Sequence, residues 1–202
     1  MIGPSSLTWA QQSTATADAL AAPMGLVAYT PALVERRRRT YLAGRIAAAQ
    51  ALRAAGCNEL HVGRATNGAP VWPGGWCGSI SHDDDLAVAA VAPVAGLRAI
   101  GIDLQLPFSP ESDSARAVRR YALHPDDADL SVPELFALKE AGYKCLSAIG
   151  VERGLHDLRV VQGSQLQLIC DGHTLECAIG ALAARVLAVA WIGAETFVSH
   201  PR

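Results

Sequence analysis

The chain has 202 residues, of which 50% are hydrophobic, and its 17 basic and 19 acidic side chains give a net charge of −2. So much apolar sequence can form one sizeable core or two small lobes. The near-neutral charge argues against a protein held on nucleic acid or on an anionic membrane by its overall field. Five cysteines without C-x-x-C spacing give no pattern for a disulfide framework or a structural zinc site, so we expect reduced thiols.

The first half of the chain begins with a short predicted strand at residues 26–29 and a long helix from Pro31 to about Ala55. One face of this helix is apolar and the other is basic, and most of its arginines are expected in solvent. A further short strand is predicted at 60–62, followed by a turn-rich segment up to residue 78. Two apolar strands are then predicted at 86–91 and 97–104.

The second half repeats this order. Helices are predicted at 114–122 and 132–149, and alternating strands follow between residues 158 and 191. The repeat predicts an α+β fold of two pseudo-symmetric α/β lobes, about 1–97 and about 98–202, with the active site in the cleft between them. Since two internal lobes complete each other, we expect a monomer.

Two stretches bear on localisation. The first 24 residues have neither a basic leader nor a continuous apolar segment, and Arg185 interrupts the apolar run at 178–194. These features predict neither a secretory signal nor a membrane span. We therefore expect a cytoplasmic protein.

A carboxylate stands among aliphatic residues in the strand that ends at Gln105. Such a group needs a cation or a hydrogen-bond network to replace its water. Asp103 and Gln105 are two positions apart, so both project from one face of the strand. Their oxygens suit a hard cation such as Mg²⁺, although an ordinary role at the end of a strand is the alternative.

Glu140 and Lys144 share one face of the helix predicted at 132–149, because they are four residues apart. They are either an ordinary surface pair, contributing about 0.2–0.5 kcal/mol, or a metal ligand beside a phosphate-binding ammonium. Upstream, Ser81 and His82 follow a predicted Gly-Ser-Ile turn whose amide and hydroxyl groups could point at one anion. No G-x-S-x-G elbow is present, which argues against a hydrolase triad.

Taken together, four segments resemble the motif series of the 4'-phosphopantetheinyl transferases. They are Gly68-Ala69-Pro70-Val71-Trp72-Pro73, Gly78-Ser79-Ile80-Ser81-His82, Ile100-Gly101-Ile102-Asp103 and Lys139-Glu140-Ala141-x-Tyr143-Lys144. The series is most similar to the larger pseudodimeric type, which serves siderophore, nonribosomal-peptide and polyketide synthases. With the helix around Arg45, the resemblance covers residues 36–144.

The resemblance implies transfer of 4'-phosphopantetheine from coenzyme A to a serine of an acyl or peptidyl carrier protein, with Mg²⁺ as cofactor. It places Asp103, Gln105 and Glu140 at the metal. It also places five side chains at coenzyme A: Arg45 near the 3'-phosphate, Ser81 and His82 at a phosphate, Lys144 at the pyrophosphate, and Lys139 beside the metal-binding glutamate. Asp126 falls where some relatives carry a proposed general base, so the serine proton could go to Glu140, to Asp126 or to a water on the metal.

One departure from the family pattern is Gln105, where the family usually has Glu. An amide oxygen can still face Mg²⁺, but the site loses one negative charge. Two other functions remain open: a degenerate homologue that binds coenzyme A or a carrier protein without transfer, and an unrelated Mg²⁺-dependent phosphohydrolase.

Overall fold

The computed structural model describes residues 2–24, 26 and 34–194. Most of the strand expected at 26–29, and the helix start expected at Pro31, lie outside the described residues. Within the described ranges, no helix combines the length and apolarity needed to cross a bilayer.

The N-terminal half is a helix packed on a three-stranded antiparallel sheet. In chain order its elements are β1 (Thr8–Ser13), α1 (Ala17–Ala21), α2 (Glu35–Ala54), the short hairpin of β2 (Gly63–Arg64) and β3 (Pro70–Val71), β4 (Trp76–His82) and β5 (Leu86–Pro93). The sheet order is β1-β5-β4, which leaves β4 at an edge. Leu42, Ile46 and Leu52 are buried on α2, and several alanines on the same helix let it pack closely against the sheet.

The C-terminal half packs a second helix on a five-stranded antiparallel sheet. Its elements are β6 (Leu97–Gln105), α3 (Asp113–Tyr121), α4 (Val132–Ser147), β7 (Arg159–Gln162), β8 (Leu166–Cys170), β9 (His173–Leu182) and β10 (Arg185–Gly193). The sheet order is β6-β10-β9-β8-β7, so β6 is an edge strand. At the start of α4, the Glu134 carboxylate accepts the backbone amide of Ser131 at 2.9 Å, which satisfies an amide that the helix leaves unpaired.

Strand β6 serves both halves because its side chains alternate between two cores. Ile100 and Ile102 pack with apolar residues of β5, whereas Ala99 packs in the cluster that contains α4. Gly101 lies directly beneath α4, and a Cβ at that position would stand 1.8 Å from the carbonyl oxygen of Ala141. The close approach of α4 to β6 therefore requires glycine at residue 101.

The two sheets meet edge to edge through serine side chains. The Oγ atoms of Ser79 and Ser81, on β4, accept hydrogen bonds from the backbone amides of Ile102 and Leu104, both at 3.0 Å. The turn expected at residues 78–80 is wrong, because these residues lie within β4. A strand presents alternate residues to one side, which allows both serines to reach the exposed edge of β6.

Most of the predicted elements are confirmed, including the strands at 86–91 and 97–104, the helices at 114–122 and 132–149, and the later alternating strands. The strand expected at 60–62 is wrong, because the paired residues are 63–64 and 70–71. All five cysteines are free. The mixture of helices and sheets is confirmed, whereas the pseudo-symmetry and the division near residue 97 stay predictions, since one sheet has three strands and the other five.

Candidate active site

An ion pair joins α4 to β6 where the two sheets meet. Lys144 Nζ lies 2.7 Å from Asp103 Oδ1 and donates to the carbonyl oxygen of Ile102 at 3.0 Å. Ser81 donates its hydroxyl to the same Asp103 oxygen at 2.9 Å. Asp103 is buried, so these two donors replace its lost water.

Glu140 lies one helical turn before Lys144 and is the second carboxylate of this cluster. Burial raises its pKa, the Lys144 ammonium opposes that rise, and the negative charge of Asp103 adds to it. Within the described chain, the Glu140 side chain makes no hydrogen bond or ion pair. Two carboxylates beside one lysine leave one negative charge of the cluster unbalanced, and a bound cation would balance it.

The residues present fit magnesium. Mg²⁺ usually takes one or two protein carboxylates and fills its other positions with water and substrate phosphates. Across the described ranges, no group of three or more His, Cys, Asp or Glu side chains could enclose a metal. An open site on Asp103 and Glu140, shared with a phosphate ligand, suits that donor set.

Gln105 ends β6 two residues beyond Asp103 and is partly exposed. Its Nε2 donates to the carbonyl oxygen of Leu106 at 2.8 Å. Its amide oxygen accepts no hydrogen bond from any described residue. The amide therefore keeps an oxygen donor that a cation or its water could use.

A basic cavity of about 290 Å³ opens beside this cluster. It is lined by Arg37, Thr40, Tyr41, Gly44, Arg45, Arg64, Gly68, Pro70, Ile80 and His82. Arg45 is 5% exposed and its guanidinium lies 5.0 Å from the centre of the Tyr41 ring. Among the described residues, its Nη1 is the only buried side-chain nitrogen or oxygen without a hydrogen-bond partner. An unpaired buried donor costs roughly 1–3 kcal/mol, and an anion in the cavity would supply the missing acceptor.

His82 lies at the end of β4 and lines the basic cavity. Partial burial of its ring and the nearby Lys144 ammonium lower its pKa, while Asp83 and Asp103 oppose the shift. A lowered pKa keeps the ring neutral near pH 7, with one nitrogen as donor and the other as acceptor.

A second, larger cavity of about 700 Å³ adjoins β4. Its wall includes Trp72, Trp76 and Tyr143, with Lys144 as a cationic group. Pro70 and Ile80 line both this cavity and the basic one. The two cavities therefore adjoin, and the larger one has three aromatic side chains in its wall.

Two predicted site residues are not brought to the cluster. Lys139 is fully buried and its Nζ lies 2.8 Å from Asp127, with further bonds to the carbonyl oxygens of Leu155 and Leu158. Asp126 is exposed, and its charged neighbours are His124 at 3.8 Å and Arg159 at 4.0 Å. Their roles toward coenzyme A and the serine proton stay predictions.

Sequence reasoning missed Asp127, Arg37 and Arg64. Lys139 follows Leu135 by one helical turn on a buried face, and a lysine in that position indicates a buried partner. Only the fold shows that Asp127 is that partner. No feature of the sequence pointed to Arg64 as a site residue, since the segment that forms its short hairpin was expected to be irregular.

Comparison with known proteins shows the family to which the chain is similar. Residues 26–92 match the model of the 4'-phosphopantetheinyl transferase N-terminal domain. The chain is 37% identical over 116 residues to 4'-phosphopantetheinyl transferase Npt of Nocardia iowensis, covering 55% of this chain and 52% of that protein. It is 32% identical over 146 residues to enterobactin synthase component D of Escherichia coli, covering 66% of each chain.

A third relative is enterobactin synthase component D of Salmonella typhimurium, 29% identical over 174 residues that cover 81% of this chain and 70% of the relative. The match spans about half the length of the Nocardia relative. The chain belongs to the 4'-phosphopantetheinyl transferase superfamily.

Proposed function

We propose that this protein transfers 4'-phosphopantetheine from coenzyme A to a serine of an acyl or peptidyl carrier protein and releases adenosine 3',5'-bisphosphate. Family membership supports the class of reaction, and the relatives named as enterobactin synthase components support a carrier domain of a synthase as the acceptor. The observation that carries the proposal is the buried Nη1 of Arg45, which has no partner among the residues that the structure describes and lies in a basic cavity beside two carboxylates and a lysine.

Coenzyme A has a charged nucleotide end and a long, weakly polar arm, and the two adjoining cavities suit these parts. The 3'-phosphate would bind beside Arg45, with Arg37 and Arg64 adding positive charge. The pantetheine arm would lie along Trp72 and Tyr143 in the larger cavity. This arrangement would leave the pyrophosphate between the two cavities, with Lys144 in the wall of the larger one.

The reaction forms one bond and breaks one. The serine oxygen bonds to the phosphorus that bears pantetheine, the bond from that phosphorus to the 5'-phosphate oxygen breaks, and the serine proton is released. Mg²⁺, held by Asp103 and Glu140 with Gln105 beside them, would neutralise charge on the leaving bisphosphate. Lys144 would neutralise charge on the phosphates from the protein side, and the neutral ring of His82 would orient them through its N–H donor.

Of the two carboxylates proposed to take the proton, Glu140 is the better supported. It lies in the cluster, and burial raises its pKa, which makes it a stronger base. Asp126 would have to act from an exposed loop whose charged contacts are His124 and Arg159.

The decisive experiment incubates the protein with coenzyme A, Mg²⁺ and an apo carrier protein and measures the intact mass of the carrier. We expect an increase of one phosphopantetheine group, lost when a chelator removes the metal. Glu140→Gln should abolish the increase, whereas the exposed control Glu176→Gln should keep it.

Other outcomes would favour the rival functions. Binding of coenzyme A with an unmodified carrier would indicate a non-catalytic homologue, and hydrolysis of coenzyme A alone would indicate a phosphohydrolase. We further propose a cytoplasmic monomer that binds neither nucleic acid nor membrane, in keeping with the net charge of −2.

A further inference from the structure

Two serines of β4 make the same kind of bond to β6, but only one of them reaches a carboxylate. Ser79 and Ser81 are both 5% exposed. Each hydroxyl oxygen accepts one backbone amide of β6 at 3.0 Å. Ser81 alone also donates to Asp103 Oδ1, at 2.9 Å.

The hydroxyl of Ser81 has no bonding capacity left. A serine hydroxyl has one proton and two lone pairs. Its proton goes to Asp103, and its lone pairs face the amide of Leu104 and the ammonium of Lys144, the latter at 3.4 Å. A phosphate could receive this proton only if Asp103 gave it up.

The contacts of Asp103 with Ser81 and with Lys144 involve the same carboxylate oxygen. Oδ1 accepts from Ser81 and pairs with Lys144 at 2.7 Å. No described residue donates to Oδ2, and Oδ2 is not among the buried orphaned atoms of the described chain. The second oxygen is therefore the one accessible to a ligand from outside.

We propose that Ser81 is a positioning residue that fixes the Asp103 carboxylate, so that one oxygen is held by the protein and the other is presented to Mg²⁺. The inference rests on the proposed function, and it gives the Ser81 hydroxyl a role other than direct contact with coenzyme A. Groups that orient a metal ligand commonly change metal affinity or activity by about 10–100-fold when removed.

The neighbouring serine provides a matched control. Ser81→Ala and Ser79→Ala each leave one buried backbone amide of β6 without its acceptor. Only Ser81→Ala also releases Asp103. Equal losses of stability in urea would show that the two variants perturb the junction of the sheets equally.

The test measures Mn²⁺ binding by electron paramagnetic resonance in the presence of coenzyme A, together with the Mg²⁺ concentration that gives half-maximal carrier modification. We expect Ser81→Ala to weaken both by about tenfold and Ser79→Ala to leave both unchanged. Ser81→Cys keeps a similar side-chain volume and a weak donor, so it should lose less metal affinity than Ser81→Ala. If the alanine variant does not fold, the cysteine variant tests the proposal.

An unchanged metal affinity in Ser81→Ala, or an equal loss in Ser79→Ala, would overturn the proposal, as would the absence of Mn²⁺ binding in the wild type. If the wild type binds Mn²⁺ with coenzyme A but never modifies a carrier, the proposed function fails. The Mn²⁺ measurements would still decide the role of Ser81.

Discussion

Helix α4 carries two lysine–carboxylate pairs of the same chemistry in different surroundings. The side chains of Lys139 and Asp127 are 0% and 3% exposed, and those of Lys144 and Asp103 are 29% and 11% exposed. Asp127 also accepts the backbone amides of His124 and Val160, at 2.7 and 2.9 Å. In the first pair, the ammonium has three acceptors and both oxygens of Asp127 accept hydrogen bonds, all inside the C-terminal half.

The second pair is incomplete by comparison. Asp103 keeps one oxygen without a hydrogen bond in the described structure, and Glu140 lies beside it without a partner there. The pair of Lys139 and Asp127, in contrast, is charged at a desolvation cost. Burial lowers the pKa of Lys139, and Asp127 opposes that shift. An ion pair whose hydrogen bonds are complete therefore stabilises the fold, whereas a pair with an unused oxygen can accept a ligand.

The largest effect is expected at Gly101, where α4, the helix that carries both lysines, packs closely on β6. Gly101→Ala would place a methyl group 1.8 Å from the Ala141 carbonyl oxygen, so α4 must move away from β6. We expect a loss of at least about 3 kcal/mol in unfolding free energy and no carrier modification. Urea unfolding measures the loss. Gly74→Ala is the control, because a Cβ there meets no atom within 4 Å; equal effects would contradict the close packing.

Replacing each lysine by methionine tests the comparison directly. Lys139→Met leaves a buried carboxylate without its cation and should cost about 3–5 kcal/mol of stability. Lys144→Met, five residues along the same helix, should cost less than about 1 kcal/mol because its pair is partly solvated. The same variant should slow carrier modification by about 100-fold. Chemical unfolding of both variants measures stability, and initial rates of carrier modification measure activity. A larger loss of stability in Lys144→Met, or a larger loss of activity in Lys139→Met, would refute the distinction between the two pairs.

A third ion pair links the two halves of the molecule, and its contribution to stability depends on pH. Arg185 of β10 holds Asp83, which follows β4, and both side chains are nearly buried. Burial opposes ionisation of Asp83, but hydrogen bonds from Arg185 and from the backbone amides of Asp85 and Leu86 outweigh it and lower its pKa below the ordinary value of 3.8. A lowered folded-state pKa gives stability that is present above the unfolded pKa and lost as pH falls through the folded pKa.

We therefore expect Asp83→Asn to be less stable than the wild type by about 2 kcal/mol at pH 7. The difference should shrink as pH falls below 3.8, because the wild-type carboxyl then also becomes neutral. Urea denaturation of both proteins between pH 7 and pH 3 measures it. A constant difference across this range would show that charge is not the cause.

The smallest expected effect concerns the departure from the family pattern. Gln105→Glu adds a carboxylate near Asp103 and should lower the Mg²⁺ concentration for half-maximal modification by a few fold, since ligand charge sets affinity for hard cations. Titration of Mg²⁺ at saturating coenzyme A measures it. The control Gln162→Glu adds the same charge on distant β7, and an unchanged requirement in Gln105→Glu would place residue 105 away from the ion.

Local periodicity was enough to predict the strands around Asp103 and the helix that carries Glu140 and Lys144, because alternation and helical spacing are properties of neighbouring residues. The bond between Ser81 and Asp103 spans 22 positions, and the pair of Lys139 with Asp127 depends on how a loop folds over α4. Such contacts follow from tertiary packing. The serine alternation in β4 was visible as Ser79 and Ser81, but the glycine beside it favoured a turn.

The first residues of the described chain have a consequence for folding during synthesis. Strand β1 pairs with β5, while the preceding Ile2 and Leu7 pack in the core that contains Leu187 and Val189 of β10. A methyl group at Gly180 of β9 would stand 2.9 Å from the Ile2 side chain. Ile2 and Leu7 thus wait for strands much later in the chain before they are covered, and contacts of such long sequence separation slow folding. Until β9 and β10 emerge, the N-terminal sheet keeps an exposed apolar flank, which makes a chain stopped before residue 180 prone to aggregation.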